Sequence, residues 1–293
     1  MNEKKSENTV LNPSRKLFFG LFIFPLLIAV GMAALLCSVV LLTHEKETPE
    51  SLLASIKTGS AGKRWQKAFE LSNELSRKTD HLRQDSLTRE IAHILQNPSH
   101  YDSKTRAYMA IALSHFSTPA AIEALQRALK DNDSEVQIYA LWALGALKAK
   151  AALPDCLLFL KNPDPKLRQI SAYVLGAIGD KSAAGPIQPL LKDPVTDVCW
   201  NAALALARLG DDSGADVLIK MLDRKSLLLE NKMNEEKTEN IMINAIKGLT
   251  LIASSDSIKI LQSLSNNDPS LKVRQAAIES IHVQREHFPG NTN

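Results

Sequence analysis

Seven histidines and three cysteines are the residues of this 293-residue chain best suited to metal or redox chemistry. His93, His100 and Asp102 come nearest to a ligand cluster, but Asn97-Pro98 divides them between a helix end and a loop. They read as ordinary surface or half-buried side chains. Cys37 lies in an apolar N-terminal stretch, and Cys156 and Cys199 stand alone in the remainder of the chain, with no C-x2-C spacing for a metal. These two read as reduced thiols packed as small apolar groups. No P-loop, G-x-G-x-x-G or G-x-S-x-G is present. The expectation is a chain with no catalytic, metal or cofactor site, and not an enzyme.

Two further sets of residues invite a binding role. Lys130, Lys161 and Lys192 recur as a ladder at the ends of successive helices. They either complement helix C-terminal dipoles or edge a groove for an anionic ligand. Trp65, Trp142 and Trp200 read as packing residues before ligand platforms.

Composition frames these choices. The chain is rich in Ala and Leu, only 5% aromatic, and carries a net charge of +3. That favours helices packed closely on one another. Lys4, Lys5, Arg15 and Lys16, set against Glu3 and Glu7, supply two of those charges, so the body is near neutral. A near-neutral body argues against a nucleic-acid binder, which would need a basic stripe to neutralise phosphates.

Residues 17–42, LFFGLFIFPLLIAVGMAALLCSVVLL, contain no charge. As a helix they span about 39 Å, enough to cross a bilayer, with Pro25 or tilt taking up the excess. A cleaved signal peptide would have a shorter apolar core and a small-x-small exit. Four Lys or Arg lie in residues 1–16, whereas residues 43–62 hold only Lys46 and Lys57. Positive-inside reasoning puts the N-terminus in the cytoplasm and the body on the far side of a cell (inner) membrane.

The elements that position everything else recur every 31 residues. Residues 103–133, 134–164, 165–195 and 196–226 align without a gap. Leu113, Leu144, Leu175 and Leu206 share one column. Phe116, Leu147, Ile178 and Leu209 share a second, and Leu129, Leu160, Leu191 and Leu222 a third. Ser114, Gly145, Gly176 and Ala207 form a small-residue column that lets neighbouring helices approach. Each unit reads as two helices. Asp133, Thr118-Pro119 and Asp164-Pro165 are helix starts, and Gly179 and Gly210 helix stops. One such pair cannot bury its apolar face alone, but stacked pairs can.

The D-x-x-[V/L]-R-like helix start, the turns VLGAIGD and ALARLGD, and the Pro/Asp punctuation resemble HEAT repeats, in particular the bacterial type also called PBS-lyase HEAT-like. The resemblance covers at least residues 103–285. It departs at Cys199, where the helix-start Arg seen as Arg106, Arg168 and Arg274 is missing. It implies an all-α, right-handed solenoid of helical hairpins preceded by one transmembrane helix, and a protein-binding scaffold. Deoxyhypusine hydroxylase, a HEAT-repeat enzyme, takes its iron ligands from repeated His-Glu pairs. The single such pair here is His44-Glu45, beside the apolar stretch. Bilin lyases share the repeat type, which leaves an accessory subunit of such an enzyme as the alternative reading.

The expected organisation is a cytoplasmic tail (1–16), a transmembrane helix (17–42), a juxtamembrane linker with a short helix (43–62), capping helices (63–102), the solenoid (103–288) and a tail (289–293). Gly59 and Gly62 are taken to break the linker helix. A surface insert is expected at 225–240, because the spacing from Val198 to Met242 exceeds the repeat. In HEAT solenoids the second helices line the concave face, so a protein partner is expected there, with no nucleic acid and no small-molecule substrate. Outward positions align as Glu123, Pro154, Gly185 and Asp216, then Arg127, Leu158, Pro189 and Lys220. Pro154, Leu158, Gly185 and Pro189 would form an apolar floor within a charged rim that includes Arg127 and Lys220. The alternative is that Leu158 is a core residue after a one-position helix shift. Cys156 and Cys199, with repeat three between them, are placed about 20 Å apart, beyond disulfide reach.

Overall fold

Asp133 shows how the first three repeats begin: its carboxylate accepts a hydrogen bond from the Glu135 amide at 2.9 Å and starts the helix Ser134–Ala146. Asp102, Thr118 and Asp164 do the same for Ser103–Leu113, Pro119–Ala128 and Pro165–Ile178. Pro119 and Pro165 occupy first-turn positions, where no amide hydrogen is needed. Repeat four lacks such a side-chain cap before Thr196–Arg208, and Asp193 instead accepts from the amide of Val195.

The computed structural model describes residues 19–43, 47–77, 84–229, 232–252 and 255–287. The expected tail 1–16, the pair His44-Glu45 and the tail 289–293 lie outside the described residues, which contain helices and no strand. The chain divides into two compact units, Met1–Thr48 and Pro49–Asn293.

In the first unit a π-helical turn, Phe19–Ile23, leads into the helix Phe24–Thr43. The irregular turn sits just ahead of Pro25, whose imide nitrogen cannot donate to an α-helical ladder. Residues Leu21–Val39 are long and apolar enough to cross a membrane.

In the second unit the helices Pro49–Thr58, Ala61–Arg77 and Gln84–Leu95 precede the repeats. Gly59 ends the first of these, but Gly62 lies inside the next helix, in its first turn, where the cost of glycine is small. First helices then pack in series from Ser103–Leu113 through Ser134–Ala146, Pro165–Ile178, Thr196–Arg208 and Glu235–Ile252 to Leu271–His287. The column Leu113, Leu144, Leu175 and Leu206 is fully buried, and Phe116, Ile178, Leu209, Leu129, Leu160 and Leu222 are buried beside it. Leu147 and Leu191 are half-buried. Gly179 and Gly210 end their helices at φ 77° and 76°, the left-handed region where glycine has no Cβ penalty. Lys148 holds the same register position in repeat two at φ 48°.

Second helices are less regular than the repeat alone suggests. In repeat two the path is a 3-10 turn Lys150–Ala152, a helix Leu153–Leu158 and a 3-10 turn Phe159–Lys161. In repeat three the α segment shrinks to Ala184–Ile187, followed by the 3-10 run Gln188–Lys192. Pro189 cannot donate back to Gly185, so the α ladder stops there.

The expected insert is only partly a loop. Arg224–Leu229 is helical with Leu227 buried, and the next helix starts at Glu235 with Thr238 buried. Burial of Leu227 in the second core cluster, with Met242 and Leu249, is what draws this segment inward.

Candidate partner-binding face

Outward-facing positions on the second helices recur at helical spacing, which brings one row from each repeat into register. Pro154, Leu158, Gly185 and Pro189 are all exposed, as are Arg127 and Lys220 at either end. Leu158 is 74% exposed. It is therefore a surface residue, and the alternative that placed it in the core is excluded. One row further toward the helix starts stand Ala120, Ala151, Ser182 and Ser213, all exposed and small. The middle of this face is thus shallow, uncharged and nearly free of long side chains.

The rim at the far end of these helices is electrically organised. Arg106 on the first helix of repeat one pairs with Asp131 at the end of its second helix. Arg168 pairs with Asp193 in the same relationship in repeat three, at 2.7 Å and 2.9 Å through two nitrogens. This hydrogen-bonded guanidinium holds Asp193 below the usual carboxylate range. Repeat two carries Gln137 and Asn162 at the equivalent places, and Gln137 donates to the carbonyl of Asp131 at 2.7 Å. In repeat four Cys199 replaces the arginine, and its thiol donates to the Asp193 carbonyl. Arg224 occupies the aspartate's place there and reaches across to Asp268, at 2.7 Å, and to Glu235.

Two clefts open at the seams between repeats on this side. One, of about 240 Å3, is lined by Leu129, Lys130, Asp155, Leu158, Phe159 and Asn162 among others. The other, of about 540 Å3, lies between the helix Gln84–Leu95 and repeat one, and Leu95, Arg127 and Lys130 line it. Lys130 and Leu158 therefore border the same 240 Å3 cleft, and Lys130 also borders the larger one.

Other candidates are not gathered into a site. His93 and His100 are exposed, Asp102 is committed to its helix cap, and no group of three metal-binding side chains occurs among the described residues. Cys156 is buried, and burial with the nearby Asp155 pushes its thiol up to about 12. Cys199 is raised by burial and Asp193, and both thiols are free. Trp65 lies under Lys104, whose Nζ is 3.3 Å from its ring centroid, and Trp200 packs against the second core cluster. Trp142 departs from the packing expectation: it is 41% exposed beside Tyr173 on the outer face of the first helices. It follows Leu141, and a one-residue step turns a helix by about 100°, enough to bring it out of the core.

Sequence reading missed the aspartates of the rim and the apolar lining residues Leu129 and Phe159. The aspartates were detectable, because Asp131 and Asp193 recur in the 31-residue register just as Arg106 and Arg168 do. The seam clefts carry no such signal, since they depend on how far adjacent second helices separate.

Residues 90–158 and 154–230 match the family model for HEAT repeats. No curated protein matches the chain. Among solved structures, the complex of CpcE and CpcF of phycocyanin lyase from Nostoc sp. PCC7120 is 20% identical, with a TM-score of 0.55 over 82% of this chain and 96% of that one. The archaeal HEAT-like repeats protein from Thermococcus onnurineus NA1 is 16% identical, with a TM-score of 0.43 over 83% of this chain and 99% of that one. A designed armadillo repeat protein is 15% identical, with a TM-score of 0.43 over 81% and 99%. The chain is an α-helical repeat solenoid whose residues 90–158 and 154–230 match HEAT repeats, and its fold is similar to that of a chain in the phycocyanin lyase complex.

Proposed function

We propose that this chain is a membrane-anchored, non-enzymatic scaffold that holds a partner protein on the second-helix face of repeats two and three. The observation that carries this reading is the exposure of Leu158 amid Pro154, Gly185 and Pro189, an uncharged floor on a solenoid whose flanking repeats keep their charges. The apolar helix Phe24–Thr43 supplies the anchor, with the N-terminus cytoplasmic and the solenoid on the other side of the cell membrane. A second reading, an accessory subunit of a bilin-lyase-like enzyme, draws on the fold shared with the phycocyanin lyase subunits.

Substitution at the centre of the floor tests the scaffold. Full-length chain purified from its own membranes in mild detergent should retain a stoichiometric partner, and Leu158→Glu should lose it without change in helical circular dichroism. An unchanged set of co-purifying proteins in a folded Leu158→Glu variant would contradict the reading.

A further inference from the structure

The lysine ladder and the apolar floor belong to one surface. Lys130, Lys161 and Lys192 are exposed, recur every 31 residues, and follow Arg127, Leu158 and Pro189 by one helical turn. They therefore edge the same second-helix face. Among the described residues none of the three makes an ion pair.

Their neighbours explain why they stay uncompensated. Asp131 follows Lys130 and Asp193 follows Lys192, but each of these carboxylates is engaged by an arginine, Arg106 and Arg168. In repeat two the neighbour is Asn162 and the residue in place of the arginine is Gln137, so the pair is neutral from the outset. In each of the three repeats the residue beside the lysine thus brings no free carboxylate, two through an ion pair and one through an amide pair, and the cap carboxylates Asp133 and Asp164 lie three residues further on. A helix C-terminus favours a cation, which accounts for each lysine singly. It does not account for an acid that is neutralised or absent at the position directly after every lysine. The pattern ends at repeat four, where Asp223 takes the lysine's place and Arg224 is committed to Asp268 and Glu235. The opposite edge of the face, with Lys150, Asp180, Lys181 and Asp211, is of mixed sign.

We propose that the face formed by Pro154, Leu158, Gly185 and Pro189, edged by Lys130, Lys161 and Lys192, binds an extended acidic and apolar segment of a partner protein. This rests on the scaffold reading and names the chemistry of its partner. Packed helices lie about 8–10 Å apart, and an extended chain rises about 3.3 Å per residue. One acidic residue in three then meets one lysine per repeat. Apolar side chains between them lie on the floor and enter the cleft beside Leu158 and Phe159. Small residues along the floor let the segment's backbone come close.

The test uses the full chain in nanodiscs of phosphatidylcholine and a fluorescein-labelled twelve-residue peptide with Glu at every third position and Leu, Pro or Ala between. A second peptide has Lys in place of each Glu. Fluorescence anisotropy should show binding of the acidic peptide, weakened at least tenfold by the triple variant Lys130→Glu, Lys161→Glu, Lys192→Glu. The triple Gln variant should give an intermediate loss. The Lys peptide should bind the triple Glu variant better than it binds the natural chain, and circular dichroism verifies that both variants are folded. Equal affinity of the acidic peptide for natural and triple Glu chains would overturn the proposal. So would failure of the peptide to bind while phosphatidylglycerol vesicles bind in a lysine-dependent way, since the occupant would then be an anionic membrane surface. If the native partner is lost with Leu158→Glu but retained by the triple Glu variant, the scaffold stands and the acidic-segment assignment falls.

Discussion

A Cβ placed on Gly176 would lie 2.8 Å from the Cα of Ala205 and 2.9 Å from its Cβ, closer than side-chain carbons approach backbone in a folded protein. Gly176 and Ala205 sit on the first helices of repeats three and four, so this contact sets how tightly those helices stack. Gly176→Ala should cost about 1–3 kcal/mol from overpacking, because backbone atoms cannot move aside as a side chain can. Gly145→Ala should cost less, since its added carbon would meet the side chain of Val174, at 3.1 Å. Thermal melts of the two variants check the order.

Lys148 stands where repeats three and four have Gly179 and Gly210, and its φ of 48° is left-handed. That conformation costs a non-glycine residue about 1 kcal/mol, and some of the gain from glycine returns as unfolded-chain entropy. Lys148→Gly should therefore stabilise the fold by about 0.5 kcal/mol. Denaturant titration of the full chain in detergent measures it, and a loss of stability would refute the strain argument.

The rim pair Arg168 and Asp193 should behave as a unit. Arg168→Gln or Asp193→Asn alone should cost about 3 kcal/mol, because each leaves a mostly buried polar partner unmatched. The double variant recreates the Gln137 and Asn162 arrangement of repeat two and should cost less than the sum of the two. Because Arg168 depresses the folded pKa of Asp193, its stabilising effect is present at pH values above the ordinary Asp value of about 3.9. It is lost as pH falls through the lower folded value. Stability measured between neutral and acid pH should fall less steeply in Asp193→Asn than in the natural chain.

Alkaline phosphatase fused after Asn293 should be active in a bacterial host, and an epitope tag ahead of residue 17 should remain joined to the body in the membrane fraction. Activity of a cytoplasmic reporter, or loss of the tag by cleavage, would overturn the proposed anchor and its sidedness.

Most of the fold was legible because one period governs it. The leucine columns, the caps at Asp133 and Asp164 and the stops at Gly179 and Gly210 each answer to a single residue type at a fixed register. Features that join two positions were harder to see. The pairing of Arg168 with Asp193, 25 residues on, needs the curvature of a whole hairpin. The shortened helix Ala184–Ile187 follows from Pro189, whose effect a repeat alignment averages away. The segment after Lys225 looked like a surface insert, since nothing local marks Leu227 as buried. Of the candidate face, the six named residues were placed correctly at the surface by register alone, whereas its clefts depend on packing.

In the proposed scaffold the second-helix face, and not the aromatic outer face, receives the partner. A benzophenone amino acid introduced singly at Leu158, Pro189, Trp142 and Tyr173 of the full-length chain, in its own membranes, addresses this with one readout. Irradiation should give a discrete crosslinked product from positions 158 and 189 and none from 142 and 173. The same product from positions 142 and 173, with 158 and 189 silent, would put the partner on the outer face instead.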